Sequence, residues 1–382
     1  MKNLAILGCT GSIGKNCLAV ARHLGSDVVQ VAALAAKHNI DLLEEQAREF
    51  HPKLIAVYDF DQARLLQGRL PHIPVIGGME GLEAVATYDK ANLVISAISG
   101  AIGLAPTIAA IKAGKNIGFA NKEVLVAGGE LVMSLVRSHG IELIPIDSEL
   151  TAIFQCLKGE SAKGVQRLLI TASGGPFYNY TAAQLENVTV DSALNHPNYR
   201  MGAKVTIDSS TLMNKGLEMI EAHWLFQVPL EKIEVVVHRQ QIIHSMVEFI
   251  DNSILAQMGD PDMLTPIQYA ITYPERYSGS LKPFDFTKNH TLQFALPDMN
   301  KFRCLKLAYE AIRCGGSFPC YMNAANEVLV HRFLNKEIAW NQIAFTLEDL
   351  MSRHSKMPIR SFEDILAVDQ LARTDVNGSL TF

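Results

Sequence analysis

The sequence predicts an α/β protein in three parts: an N-terminal doubly wound parallel sheet, a central α+β region with a mixed sheet, and a C-terminal helical region. Three observations predict it. From Lys2 to Ile146 short apolar runs alternate with helical stretches; after Leu150 strands follow one another around a single strong helix; beyond Lys301 only helical periodicity remains. A length of 382 residues suits two or three domains, and 48% hydrophobic with 19% charged residues is the balance of a soluble globular chain.

In the first part the expected strands are NLAIL, VVQVAAL, LIAV, LVISA, NIGF and ELIPI, and the domain is expected to span residues 1–147. In the second, residues 148–281, they are VQRLLI, KVTI, IEVVV and IIHSMVEFI, with one helix from Ser209 to Phe226 capped by Asp208 or Ser209. Residues 282–301 read as a linker carrying Pro283 and Pro297. The C-terminal domain, residues 302–382, shows helical spacing in CLKLAYEAIRCG, AANEVLVHRFLNK and WNQIAFTLEDLMSRH.

Composition excludes several function classes. The net charge is −5 with no basic cluster, which argues against nucleic acid as a partner. The longest uncharged run, Leu93 to Ile111, is broken by Ser96, Ser99, Gly100, Gly103 and Pro106, so it reads as strand, loop and helix rather than a membrane span. Six scattered cysteines read as reduced thiols. A strand pattern almost at residue one leaves no room for a signal or transit peptide, so a bacterial-type cytoplasmic location is expected; a processed organellar protein would read the same.

The first strand runs into GCTGSIG, with Gly8, Gly11 and Gly14, and then into a helix. Such a loop permits close approach of a pyrophosphate to a helix N-terminus, the mark of a Rossmann-like dinucleotide site; a purely structural turn is the other reading. The second strand ends in AALAAKHN, which offers no acid for a ribose 2'-hydroxyl but does offer Lys37 and His38. NADP is therefore favoured over NAD, unless Lys37 is simply a solvated lysine.

In IPIDSEL, Asp147 and Glu149 project to one side if the extended backbone persists through Ser148, where a sheet strand ends. Two acids aimed together repel unless a cation sits between them; a surface acidic pair is the bland alternative. Asn214, Lys215 and Glu218 share one stripe of the later helix, which could equally be a solvated face. A site of carboxylates would suit magnesium or manganese. TASGGPF combines Ser173 with Gly174 and Gly175, fit for a phosphate contact or a hinge. His196 in NHPNYRMG either bonds a substrate or is an ordinary loop histidine.

Taken in order and spacing, GCTGSIG, ANKE, PIDSE, TASGGPF, HPNYRMG and DSSTLMNKGLEMIEAHWLF closely resemble the 1-deoxy-D-xylulose 5-phosphate reductoisomerases, across essentially the whole chain. The resemblance implies an NADPH- and divalent-metal-dependent homodimer. Such an enzyme rearranges its sugar phosphate and reduces the resulting aldehyde to 2-C-methyl-D-erythritol 4-phosphate, in non-mevalonate isoprenoid synthesis. Carried over by motif, Asp147, Glu149 and Glu218 match the Mg2+ or Mn2+ ligands. Thr10, Gly11, Ser12 and Ile13 match contacts to the cofactor phosphates, Ala36, Lys37 and His38 the 2'-phosphate end, and Asn121, Glu123 and Gly202 further cofactor contacts. Lys122, Ser148, Glu149 and Glu218 match substrate contacts, and Ser173, Ser209, Asn214 and Lys215 its phosphate end. His196 lies on the segment resembling the family's lid, about 174–203, and joins Lys122 and Glu149 as a candidate catalytic residue.

The chain departs from the common pattern at Leu150, where many members carry His, and at Tyr199, where the lid has Trp. Ala36 replaces a common Gly, His38 a common Asn, and Arg239 and Gln241 a common Pro and Ser. None is a predicted metal ligand. Of the rival readings, another NADP-dependent oxidoreductase would share the glycine loop but not TASGGPF and MNKGLE, and an NADP-sensing module would be expected to have lost a ligand or the Lys122 contact, yet the full set is here.

Overall fold

The computed structural model describes residues 1–197, 201–288 and 291–379. Eleven strands are present among them: β1 (Lys2–Leu7), β2 (Val29–Ala36), β3 (Leu54–Val57), β4 (Val75–Gly77), β5 (Leu93–Ser96), β6 (Asn116–Phe119), β7 (Leu143–Pro145), β8 (Val165–Ala172), β9 (Ile233–Val237), β10 (Ile243–Phe249) and β11 (Ile254–Met258). They form a seven-stranded sheet in the order β4-β3-β2-β1-β5-β6-β7 and a four-stranded sheet in the order β11-β10-β8-β9.

Every pairing in the larger sheet is parallel. Its strands are covered on both faces, which is why LAIL of β1 and LIAV of β3 are apolar without alternation and buried throughout. The strand order reverses beside β1, so the C-terminal ends of β1 and β5 open a crevice of the kind that holds ligands in doubly wound folds. Short β4 escaped prediction because three residues between Pro74 and Gly78 carry no periodicity.

In the smaller sheet β8 runs parallel to β9 and antiparallel to β10, which pairs antiparallel with β11. This is the expected mixed sheet, with two corrections. KVTI is not a strand: Lys204 to Ile207 lie in the helix Ala203–Thr211, where Gly202 caps the start and accepts from the Thr206 amide at 3.0 Å. The β-branched Val205, Thr206 and Ile207 favour a strand locally, but packing overrides that preference, and Ile207 is fully buried. Nor does one helix run from Ser209 to Phe226. Leu212 turns left-handed (φ 60°) and separates Ala203–Thr211 from a second helix, Met213–Phe226, so Asp208 and Ser209 lie inside a helix rather than at its cap.

The chain divides into two compact units. One comprises Met1–Val124, Val132–Thr151 and Asp262–Pro283; the other Leu125–Leu131, Ala152–Pro261 and Phe284–Phe382. These differ from the expected domains: Leu125–Leu131 belongs to the second unit, the central and C-terminal regions fall together in that unit, and the expected linker 282–301 is divided after Pro283. The first unit runs on through Ser148 to Thr151, and it takes back the helix Leu264–Thr272, which packs on Ser12–Leu24. The second unit holds the C-terminal helices Arg303–Cys314, Phe318–Leu334, Trp340–Arg353 and Phe362–Ser379. The last was not expected, although its start carries a legible signature: Ser361 Oγ accepts from the Asp364 amide at 3.2 Å while Asp364 accepts from the Ser361 amide at 3.0 Å. Among the described residues no helix is long and apolar enough to cross a membrane.

Candidate active site

In the first unit the glycine loop joins β1 to the helix Ser12–Leu24. Gly8 takes φ 89°, and a Cβ there would sit 2.6 Å from the Ala97 carbonyl oxygen, so only glycine lets the loop lie against the segment after β5. Thr10 to Ile13 make the turn into the helix, whose first-turn amides lack intrahelical acceptors and suit phosphate oxygens. Ala36 ends β2, and Lys37 and His38 follow it into solvent.

Asn121 and Glu123 are buried at the start of the helix Lys122–His139. The Asn121 amide nitrogen donates to the Ile98 carbonyl at 2.5 Å and the Gly100 carbonyl at 3.3 Å, tying the end of β6 to the loop after β5. Its Oδ1 is buried and accepts no hydrogen bond among the described residues. A buried open acceptor calls for a donor, and a dinucleotide offers several along this crevice. The cradle and the orphaned oxygen therefore fit the cofactor that the sequence expects.

The carboxylate pair is built differently from the expectation. The extended backbone does not persist through Ser148, because β7 ends at Pro145 and Ser148 opens the helix Ser148–Cys156. Thr151 pins this junction, its amide donating to the Asp147 carbonyl and its hydroxyl to that of Pro145, each at 2.8 Å. Asp147 and Glu149 nevertheless bring carboxylate oxygens within 4.8 Å of each other. Lys122 Nζ stands 2.5 Å from Asp147 Oδ2, and the Ser148 hydroxyl donates to Glu149. Glu149 is only 8% exposed and the Asp147 side chain 23%, so these two like charges gain by sharing a cation.

In the second unit β8 ends at Ala172, and Ser173 follows with its hydroxyl 3.0 Å from His196 Nε2, so these two predicted residues do meet. The Gly175 amide donates to Ser173 Oγ at 3.2 Å. Gly175 itself has φ 68°, and a Cβ there would lie 2.7 Å from the Ser209 carbonyl oxygen, so the loop rests directly on the helix Ala203–Thr211. Ser209 is buried in that helix and Gly202 caps it. Tyr199, the expected aromatic cover, lies outside the described residues.

The polar stripe of Met213–Phe226 turns inward. Asn214 Nδ2 donates to Glu218 Oε1 and Lys215 Nζ to Oε2, each at 2.5 Å, while Glu218 is 1% exposed. A charge so buried needs such partners, and a solvated face is excluded. The donor atoms of Asp147, Glu149 and Glu218 are all carboxylate oxygens, the chemistry of a hard divalent cation. One contributor was missed by sequence reasoning. Arg239, visible only as a departure from pattern, donates from Nη1 to the carbonyls of Ser173 (3.1 Å) and Gly175 (2.9 Å) and lies 5.1 Å over the Tyr178 ring.

Family models for 1-deoxy-D-xylulose 5-phosphate reductoisomerase match residues 4–129, and those for its C-terminal domains match residues 143–226 and 258–375. The 1-deoxy-D-xylulose 5-phosphate reductoisomerase of Protochlamydia amoebophila is 60% identical over 99% of this chain and 98% of its own length. This chain belongs to the 1-deoxy-D-xylulose 5-phosphate reductoisomerase family. The reductoisomerase of Pelodictyon phaeoclathratiforme is 50% identical over 98% of each chain. Among solved structures, the reductoisomerase of Zymomonas mobilis in complex with NADPH superposes with a TM-score of 0.93 at 41% identity, covering 100% of this chain and 99% of its own. A second reductoisomerase, in complex with NADPH, fosmidomycin and magnesium, gives 0.92 at 39% identity over 100% and 98%.

Proposed function

We propose that the protein converts 1-deoxy-D-xylulose 5-phosphate to 2-C-methyl-D-erythritol 4-phosphate, using NADPH and a divalent cation, in non-mevalonate isoprenoid precursor synthesis. Full-length family membership carries this reading. The two rival functions would have no need for acids as deeply buried and as fully partnered as Glu149 and Glu218.

Asp147, Glu149 and Glu218 would hold the cation, magnesium or manganese, which supplies Lewis-acid polarisation of the substrate's carbonyl and neighbouring hydroxyl oxygens. NADPH, held by Thr10 to Ile13, Ala36 to His38, Asn121, Glu123 and Gly202, supplies the hydride. Lys122 sets positive charge where oxyanion character grows, and Ser148 orients the substrate hydroxyls. Ser173, Ser209, Asn214 and Lys215 grip the phosphate end, with His196 bonded to Ser173 at the entrance to the lid. Closure of that lid would exclude water from the reaction.

A homodimer is part of the same reading. β11 is an edge strand with Ile254, Leu255 and Met258 exposed, and the same unit exposes Phe286, Phe294 and Leu296. An unpaired apolar edge of this kind calls for a partner, and a second copy provides one by symmetry. The expected location is the cytoplasm, checked by fractionation of cells producing the protein.

The deciding measurement is oxidation of NADPH followed at its absorbance. Turnover should require 1-deoxy-D-xylulose 5-phosphate and either magnesium or manganese, yield 2-C-methyl-D-erythritol 4-phosphate, and be blocked by fosmidomycin. Absence of substrate-dependent turnover with both metals would overturn the proposal.

A further inference from the structure

Ser209 is flanked by two residues that both bond to the C-terminal helices of the same unit. Asn326, fully buried in Phe318–Leu334, donates from Nδ2 to Asp208 Oδ1 at 2.8 Å. Trp340, at the start of Trp340–Arg353 and 6% exposed, donates from Nε1 to Ser210 Oγ at 2.8 Å. Ser210 passes that bond on to the Ile207 carbonyl at 2.7 Å. Consecutive helical side chains diverge, so positions 208 and 210 point roughly 200° apart around the axis. Anchoring both therefore clamps the rotation of the helix and aims the residue between them.

Trp340 reaches a second segment as well. Its ring meets Phe177 edge-on, with centroids 5.4 Å apart and planes at 81°. Phe177 closes TASGGPF and is fully buried, and Gly175 of that loop presses on the Ser209 carbonyl. One side chain thus touches the loop that carries Ser173 and the helix that carries Ser209, by ring contact on one side and a directional bond on the other.

We infer that Trp340 is a positioning residue for recognition of the substrate's phosphate, holding the Ser173 loop and the Ser209 helix in register, with Asn326 as the second anchor through Asp208. The inference rests on the reading that assigns Ser173 and Ser209 to the phosphate end. It gives the C-terminal helices a share in substrate recognition although none of the predicted site residues lies on them.

The test uses the full chain with saturating NADPH and cation, in Trp340→Phe, Ser210→Ala and the double variant. Phe keeps the ring contact and removes the donor; Ala removes the acceptor and keeps the indole. Each single variant should raise KM for the sugar phosphate and the inhibition constant of inorganic phosphate by about fivefold to tenfold, the worth of one buried hydrogen bond. In each, kcat should stay within about twofold and KM for NADPH should not move, since the loss falls on uniform binding. The double variant should be no worse than the worse single, because both act through one bond.

Ser209→Ala separates the two levels of argument. If it leaves both phosphate constants unchanged, the phosphate assignment falls and this inference with it. If it raises them while Trp340→Phe and Ser210→Ala do not, only the inference is overturned. A parallel loss of kcat, NADPH affinity and melting temperature in both single variants would mark a structural role alone and also overturn it. Should Trp340→Phe fail to fold, Ser210→Ala and Asn326→Ser decide by the same KM-against-kcat split.

Discussion

Lys122 Nζ stands 2.5 Å from Asp147 Oδ2, joining the ends of neighbouring strands β6 and β7. The pair puts a cation against a carboxylate at a mostly buried point of the sheet's C-terminal edge, where charge interactions are strong. Lys122→Met should lower kcat by about 10²–10³-fold, the scale of removing one preorganised charge partner. Binding of NADPH, followed by its fluorescence, should remain within about threefold. A kcat near wild type would remove Lys122 from the chemistry.

Asp147→Asn and Glu218→Gln each delete one negative oxygen from the proposed cation site while conserving shape. Turnover should fall by at least about 10²-fold, and the magnesium concentration giving half-maximal rate should rise. Each substitution also removes a carboxylate from a buried lysine, Lys122 at Asp147 and Lys215 at Glu218, so the melting temperature should drop in both, and further in Glu218→Gln because Glu218 is the more deeply buried acid. Circular dichroism establishes that the fold survives; retained activity in either variant would refute the metal assignment.

Lys37 lies in solvent just past β2. Lys37→Ala should raise KM for NADPH by about tenfold, as loss of a charge-assisted phosphate contact requires, and leave the poorer KM for NADH in place. An equal effect on both cofactors would show that the lysine does not read the 2'-phosphate.

Charging the exposed edge should break self-association. Ile254→Lys with Leu255→Lys is expected to shift the sedimenting species from dimer to monomer, because like charges on a paired edge repel. A wild-type protein that sediments as a monomer would exclude the dimer directly.

His354 Nε2 lies 2.8 Å from Ser317 Oγ, and its ring stacks on Tyr321 at 4.0 Å; burial holds its pKa below the ordinary imidazole value. The unfolded chain then takes up the proton first as pH falls, so the contribution of His354 to stability is present above about pH 6.5 and is lost below it. The melting temperature should decline between roughly pH 7 and 5, and His354→Gln should flatten that decline. An unchanged slope in the variant would mean that other groups govern it.

The larger sheet was legible because fully buried parallel strands announce themselves as apolar runs, and only β4 was too short to do so. The glycine loop was legible for a related reason: Gly8 is a local backbone requirement, visible wherever it occurs. Ala203–Thr211 was misread because its β-branched residues carry a strand preference that packing reverses. Asp147 and Glu149 do approach each other, but a helix start rather than the extended strand that local sequence suggests sets their approach.

Periodicity, turn chemistry and the ordered motifs that mark the family depend on chain neighbours, and all of these are legible in the sequence. Tertiary structure alone decided the partners of buried polar groups. Glu218 sits deep with Lys215 and Asn214 rather than on a solvated face, Arg239 holds the Ser173 loop, and Trp340 reaches Ser210 from 130 residues away. A buried donor must find an acceptor wherever packing brings one, and that choice is made by elements distant in the chain.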